Sequence, residues 1–272
     1  MDLGLEALSK ITIFSKYAKY NSELKRRETW DEIIDRYQAM MVKKYPSLET
    51  AIIDSAKYIR EKKVLPSMRA LQFAGSAAEV NNARIYNCCY LPIDSLHSFS
   101  ETMFLLLGGT GVGFSVQKHH VEQLPAIKKQ DTYKMRTYLI EDSIMGWADA
   151  VKMLMKFYFE GGYKPKFDFR AIRHKGARLV TAGGKAPGPE PLKICLSHVQ
   201  AILDRKKEGE KLSPLEQTAL NKFGIALKGG EKWAIELFFK YMYGLPKQSI
   251  EADVKQTMIN WVEQKTYNDS NS

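Results

Sequence analysis

Apolar residues recur at helical spacing over most of the chain and at strand spacing in only a few short runs. Thr29 with Glu32 makes a capping box, and Trp30, Ile33, Ile34, Tyr37 and Met41 behind it predict a helix that Pro46 and Ser47 break. A second helix to about residue 63 carries Ile52, Ala56 and Ile59 on one face, so the first 64 residues read as a helical layer. Further on, Ile144, Trp147, Val151, Leu154 and Tyr158 stand three and four apart, with Asp142 or Ser143 as the cap and Gly161 and Gly162 as the stop. Pro189 or Glu190 opens a helix through Leu192, Leu196, Val199 and Leu203. Ser213, Pro214 and Glu216 form another capping box, the start of a tail with helical segments at 214–228, 231–243 and 250–264. Strand patterns are confined to 85–91, closed by Pro92, to 167–169 and to 179–181.

The stretch 65–115 concentrates the unusual features. A β-forming run holds the adjacent thiols Cys88 and Cys89, and Ser98 with Glu101 then predicts a capped helix over 99–107. Gly108, Gly109, Gly111 and Gly113 follow as a loop whose backbone can approach a ligand closely. A strand thiol, a helix and a glycine loop in succession point to a nucleotide site with redox chemistry. A second glycine- and proline-rich loop occupies 172–192, and 121–134 reads as a polar connector with bases at Lys128 and Lys129.

Composition narrows the setting. The 272 residues are 44% apolar and 26% charged, with neither a membrane-length apolar run nor a signal-peptide pattern. Three cysteines, two of them adjacent, do not make a secreted disulfide framework, so the cytoplasm is the expected compartment. The net charge of +10 fits nucleotide phosphates, nucleic acid or plain solubility equally.

Each motif also has an ordinary reading. GGTGVGFS lacks the lysine of a Walker loop and the spacing of a dinucleotide fingerprint, so a tight turn competes with a phosphate site. His119 and His120, if on a strand, face opposite ways and read as a surface pair rather than metal ligands. Cys195 sits among helix apolars as a core thiol, and Cys88 and Cys89 face opposite sides of their strand.

Beyond these readings, the chain resembles the N-terminal part of an adenosylcobalamin-dependent (class II) ribonucleotide reductase. The resemblance rests on TWDE at 29–32, LPSMRAL at 65–71, YNCCYLP at 86–92, GGTGVGFSV at 108–116, DSIMGWADA at 142–150 and FDFRAIRHKGARLVTAGGKAPGPEPL at 167–192. It implies an α/β fold: a helical N-terminal region (1–64), the first part of a ten-stranded reductase α/β barrel, incomplete (65–216), and a three-helix tail of other origin (217–272). It implies conversion of ribonucleotides to deoxyribonucleotides by cobalamin-initiated radical chemistry. The partners it implies are a ribonucleotide substrate, an allosteric deoxynucleotide effector, a thioredoxin-like reductant and a separate C-terminal reductase polypeptide. By the same resemblance Cys88 is the first cysteine of the reducing pair. Ser67, Asn87 and the backbone at Gly111 contact substrate. Asp94, Ser95 and Leu96 begin the effector site, and Lys175 and Lys185 bound an effector loop. Cys89 inherits no role.

The sequence departs from the family in lacking the thiyl-radical cysteine, the second cysteine of the pair and the shuttle cysteines. The isolated chain is therefore expected to be inactive. Two other readings stand beside the enzyme part: a nucleotide-binding or regulatory fragment without catalysis, and a phage DNA-packaging adaptor acting through the basic tail, which is similar over a short stretch to a terminase small subunit.

Overall fold

The computed structural model describes residues 3–128, 134–179 and 184–229, with side chains in the last segment through residue 221. Helix α1 (Leu3–Thr12) buries none of its side chains, and a small antiparallel ribbon of β1 (Tyr20–Asn21) and β2 (Arg26–Arg27) follows it. Helix α2 (Trp30–Lys44) starts at the expected capping box: Glu32 N donates to Thr29 Oγ1 at 3.3 Å, and Thr29 N to Glu32 Oε2 at 2.7 Å. Arg26 and the Thr29 backbone hold the Glu32 carboxyl down at about 2. Neighbouring residues of α2 serve different partners. Ile33 packs with Ala18 and with Leu71 of α4 (Met68–Phe73), and Ile34 with Ala56 and Ile59 of α3 (Glu49–Arg60). Helix α2 is thus the axis of the N-terminal layer.

Charge fastens α4 to this axis. Arg36 donates to Leu71 O at 3.1 Å and Ala74 O at 2.9 Å while paired with Glu28, and Lys19 Nζ donates to Ala74 O at 2.7 Å. Burial, then repulsion from Arg36, lowers the Lys19 ammonium to about 8, against the attraction of Glu28. After α5 (Ser76–Val80) and a 3₁₀ turn at Asn82–Ile85 come two parallel strand–helix–strand units. Strand β3 (Cys88–Pro92), helix α6 (His97–Leu107) and strand β4 (Gly111–Ser115) form the first. The short α7 (Lys118–Val121) leads on toward β5 (Met135–Leu139), α8 (Ile144–Glu160) and β6 (Lys164–Asp168), which form the second.

Helix α6 packs on α8, and α9 (Glu190–Asp204) and α10 (Pro214–Gly229) cover the pair. Phe99, Met103, Val151, Met155, Cys195, Val199 and Leu220 close around a cavity of only about 10 Å³. Helix α10 has the expected Ser213–Glu216 box and runs on past Glu216 as one element, with Gln217, Ala219, Leu220 and Asn221 buried. The tail helices expected at 231–243 and 250–264 lie outside the described residues. No helix among the described residues is long and apolar enough to cross a membrane.

The mixed α/β character agrees with expectation, and several local readings need correction. The described strands form three two-stranded sheets. Ser98 does not cap α6: the helix starts at His97, and buried Ser98 instead turns its hydroxyl to Ser95 Oγ at 3.1 Å and Asp94 Oδ1 at 3.4 Å. The glycine-rich stretch is a loop only through Thr110, because Gly111 onward pairs with β3 as strand β4. His119 and His120 stand on α7, with ring centroids 3.9 Å apart, rather than on a strand. Strand β5 follows directly on the polar connector and has no partner-independent signal of its own. At 179–181, residues 180 and 181 lie outside the described set, and the neighbouring Arg178 and Lys185 form an isolated antiparallel bridge.

Helix α8 has no room at its first turn. A Cβ on Gly146 would stand 2.5 Å from Glu141 O and 2.8 Å from Glu141 Cβ. Gly146→Ala is expected to destabilise the chain by about 1–3 kcal/mol in urea unfolding through overpacking. Gly113→Ala, whose nearest neighbour would be Cys89 O at 3.7 Å, makes ordinary contact and serves as the comparison.

Candidate functional site

Parallel pairing sets Cys88 opposite Gly111, Cys89 opposite Val112 and Tyr90 opposite Gly113. Side chains alternate across the pair. Leu91 and Val112 are buried on the covered face, while Cys88, Tyr90 and Gly113 are exposed. Cys89 is half-buried, and burial, followed by the charges of Glu101 and Cys88, raises its thiol above the usual range. Cys88 is the exposed thiol. Gly111 N donates to Asn87 O at 2.8 Å, and a Cβ on Gly111 would stand 3.8 Å from Cys88 Sγ. Glycine there leaves the Cys88 sulfur beside bare backbone.

The turn into β4 is clipped to the segment before β3 at separate points. Thr110 is fully buried, and its hydroxyl donates to Ala83 O at 2.8 Å. Arg69, on α4, donates from Nε to Asn87 Oδ1 at 3.1 Å and from a terminal nitrogen to Gly109 O at 2.8 Å. Ser67 is exposed at the start of the same helix and makes no capping bond with its side chain. The structure therefore brings Asn87, Cys88 and Gly111 together and sets Ser67 at the head of the helix that reaches them. Neither Arg69 nor Thr110 emerged from the sequence reading. The only signal for Arg69 was a base inside LPSMRAL.

Asp94, Ser95 and Leu96 form the turn between β3 and α6, held by Ser98. Lys175 and Lys185 are exposed on a hairpin-like loop closed by Gly176 N to Ala186 O at 2.8 Å and Ala186 N to Ala177 O at 2.7 Å. Gly188, at φ +77°, lets Lys175 approach: a Cβ on it would stand 2.9 Å from Lys175 N. Arg178 of this loop lies 5.3 Å from the Tyr20 ring centroid, which joins the loop to the N-terminal ribbon. Among the described residues no group of three or more His, Cys, Asp or Glu is placed to hold a metal.

Cys195 is buried on α9, and burial pushes its thiol up to about 12. The thiolate is the reactive form, so a raised thiol presents less of it at a given pH. Iodoacetamide at pH 8 is expected to label Cys88 first, Cys89 more slowly, and Cys195 only after unfolding. Peptide mass mapping over time checks the order, and labelling of Cys195 alongside Cys88 in the folded chain would contradict it.

Comparison with known proteins finds similarity to ribonucleotide reductases. The chain is 30% identical over 189 residues to the adenosylcobalamin-dependent ribonucleoside-triphosphate reductase of Euglena gracilis, covering 65% of this chain and 25% of that one. It is 29% identical over 224 residues to a putative reductase of the same description from Mycobacterium phage D29, covering 68% and 32%. Against the Lacticaseibacillus paracasei reductase it is 25% identical over 282 residues, covering 78% and 38%. The chain thus spans about a quarter to two-fifths of the curated relatives it matches. A crystal structure of a B12-dependent (class II) ribonucleotide reductase superposes with a TM-score of 0.71 at 22% identity, over 80% of this chain and 40% of that one. No family model matches. In sequence the chain is similar to a part of the adenosylcobalamin-dependent ribonucleoside-triphosphate reductases, and its fold is that of a part of a class II ribonucleotide reductase.

Proposed function

We propose that the chain is the N-terminal part of a ribonucleotide reductase, and that it forms the substrate-side wall where a ribonucleotide becomes a deoxyribonucleotide. The observation that carries this reading is the exposed Cys88 thiol in register with Gly111, on a parallel pair whose other face is covered. Exchanging the 2′-hydroxyl for hydrogen takes two electrons and two protons. The oxygen leaves as water, and two thiols that supply the electrons and protons end as a disulfide. Cys88 is one of these thiols in this reading. Cys89 is turned toward the covered face and Cys195 is in the core, so the three cysteines of the chain do not include its partner. The second thiol and the radical-bearing thiol come from another reductase segment, and a thioredoxin-like dithiol resets the pair.

Around Cys88, the Asn87 side chain, the Ser67 hydroxyl and the open backbone at Gly111 supply substrate contacts. The 94–96 turn with Lys175 and Lys185 supplies the site for a deoxynucleotide effector, where exposed ammonium groups suit phosphate.

The relatives' names imply adenosylcobalamin as the source of the radical. Neither the core cavity of about 10 Å³ nor the open polar groove of about 350 Å³ lined by Lys19, Tyr20, Asn21, Ser22, Glu23 and Glu28 fits a corrin, which is larger than both. The steps assigned to this chain are accordingly those of binding and of thiol reduction.

The purified chain with adenosylcobalamin, ribonucleoside triphosphates and dithiothreitol is expected to form no deoxynucleotide. Supplying the remaining reductase segment as a separate polypeptide is expected to restore turnover. In that reconstituted enzyme Cys88→Ser should abolish multiple turnover and Cys89→Ser should preserve it. Equal loss from both substitutions would overturn the assignment, and turnover by the chain alone would overturn the division of labour.

A further inference from the structure

We propose that Arg69 is a positioning residue for the Cys88 site, one guanidinium that sets the spacing between the residue before Cys88 and the turn before Gly111. The proposal rests on the reading of Cys88 as the substrate-side thiol. Its two contacts reach across 18 residues of sequence to Asn87 Oδ1 and across 40 to Gly109 O. A guanidinium is a rigid planar fork, so two acceptors bound to it are held at a fixed separation, which a flexible single ammonium cannot do.

The surroundings are shaped for that fork. Gly109 has φ +98°, and a Cβ there would stand 2.9 Å from the remaining terminal nitrogen of Arg69. Glycine at 109 therefore serves both the turn and the approach of the guanidinium. The Phe73 ring supports the group from α4 itself, with the Arg69 guanidinium carbon 5.6 Å from the ring centroid. Arg84, from the 3₁₀ turn, lies 5.9 Å from the same ring. Phe73 is thus shared by the helix that carries Arg69 and the segment that leads into β3. The back of α4 is in turn anchored by Arg36 through Leu71 O and Ala74 O. Anchored behind and forked in front, α4 transmits the position of the N-terminal layer to the site.

The test uses the full chain with Arg69→Gln, Arg69→Lys, Asn87→Ala and the Arg69→Gln/Asn87→Ala double variant. Hydrogen exchange is read at the amides of 109–111 and, as reference, along α8. Arg69→Gln is expected to speed exchange at 109–111 by about tenfold and leave α8 unchanged. The double variant should add little to Arg69→Gln, which already removes the one link that Asn87→Ala removes. In parallel, protection of Cys88 from iodoacetamide by each common ribonucleoside triphosphate is titrated. About tenfold more nucleotide should be needed in Arg69→Gln, with partial recovery in Arg69→Lys, which can restore one contact at a time. Unchanged exchange at 109–111, or an equal rise along α8, would overturn the proposal. Absence of nucleotide protection in the unsubstituted chain would count against the reductase reading, and the exchange arm then decides the role of Arg69 by itself.

Discussion

Parallel strands cannot be joined by a tight hairpin; they require a crossover, and a helical crossover must lie on one face. In this chain that constraint organises the site. Helix α6 carries the chain from Pro92 back to Gly111 and covers the side of β3 and β4 that holds Leu91 and Val112. Alternation along the strands then turns Cys88, Tyr90 and Gly113 to the opposite face. The pairing of Cys88 with Gly111 is a consequence of this register. A slip of one residue would bring Cys89 out and bury Cys88, exchanging the accessible thiol for its neighbour.

The register is defended by contacts on several sides. Thr110 is buried and reaches Ala83 O, Gly111 N reaches Asn87 O, and Ile93 N reaches Ser115 O at 3.0 Å beyond the last strand pair. Behind them the N-terminal layer acts as a mount. Helix α2 serves α3 through Ile34 and α4 through Ile33 and Arg36, so its two adjacent isoleucines are committed to different neighbours. An amphipathic pattern reports that both are buried and says nothing of this division.

Helical periodicity made α2, α8, α9 and the start of α10 legible, because each pairs a clear apolar stripe with a local stop or start. Thr29–Glu32 and Ser213–Glu216 are capping boxes in the structure as in the sequence. Ser98–Glu101 has the same spacing and is not one, because Ser98 is needed in the core-facing first turn and its hydroxyl is taken by Ser95 and Asp94. The spacing reads β4 as a loop because four of the six residues 108–113 are glycine, two of them in the strand itself, and only the β3 partner distinguishes an extended glycine run from a turn. Cys195 as a core thiol and the opposite facing of Cys88 and Cys89 were readable from spacing. Arg69 was not, because a half-buried arginine that reaches 40 residues along the chain leaves no periodic trace.

The exposed face of β3 and β4 is chemically unfinished in a way that bears on the proposed function. Parallel sheets are ordinarily covered on both faces, and two-stranded sheets are seldom stable by themselves. Here Tyr90 is 66% exposed beside the Cys88 thiol, with Tyr86 at 60% just before it. A surface thiol flanked by exposed tyrosines would be a poor solvent-facing design, since it invites both oxidation and association. It is a sensible inner wall for a site completed by further strands, where the same tyrosines are covered and the thiol meets a second one. Among the described residues the outer edges of β3 and β4 are unpaired, and they offer the backbone groups to which such strands would add. Under the reductase reading, the exposed thiol and the uncovered sheet face are then the same fact: both need one further wall, and that wall brings the second sulfur.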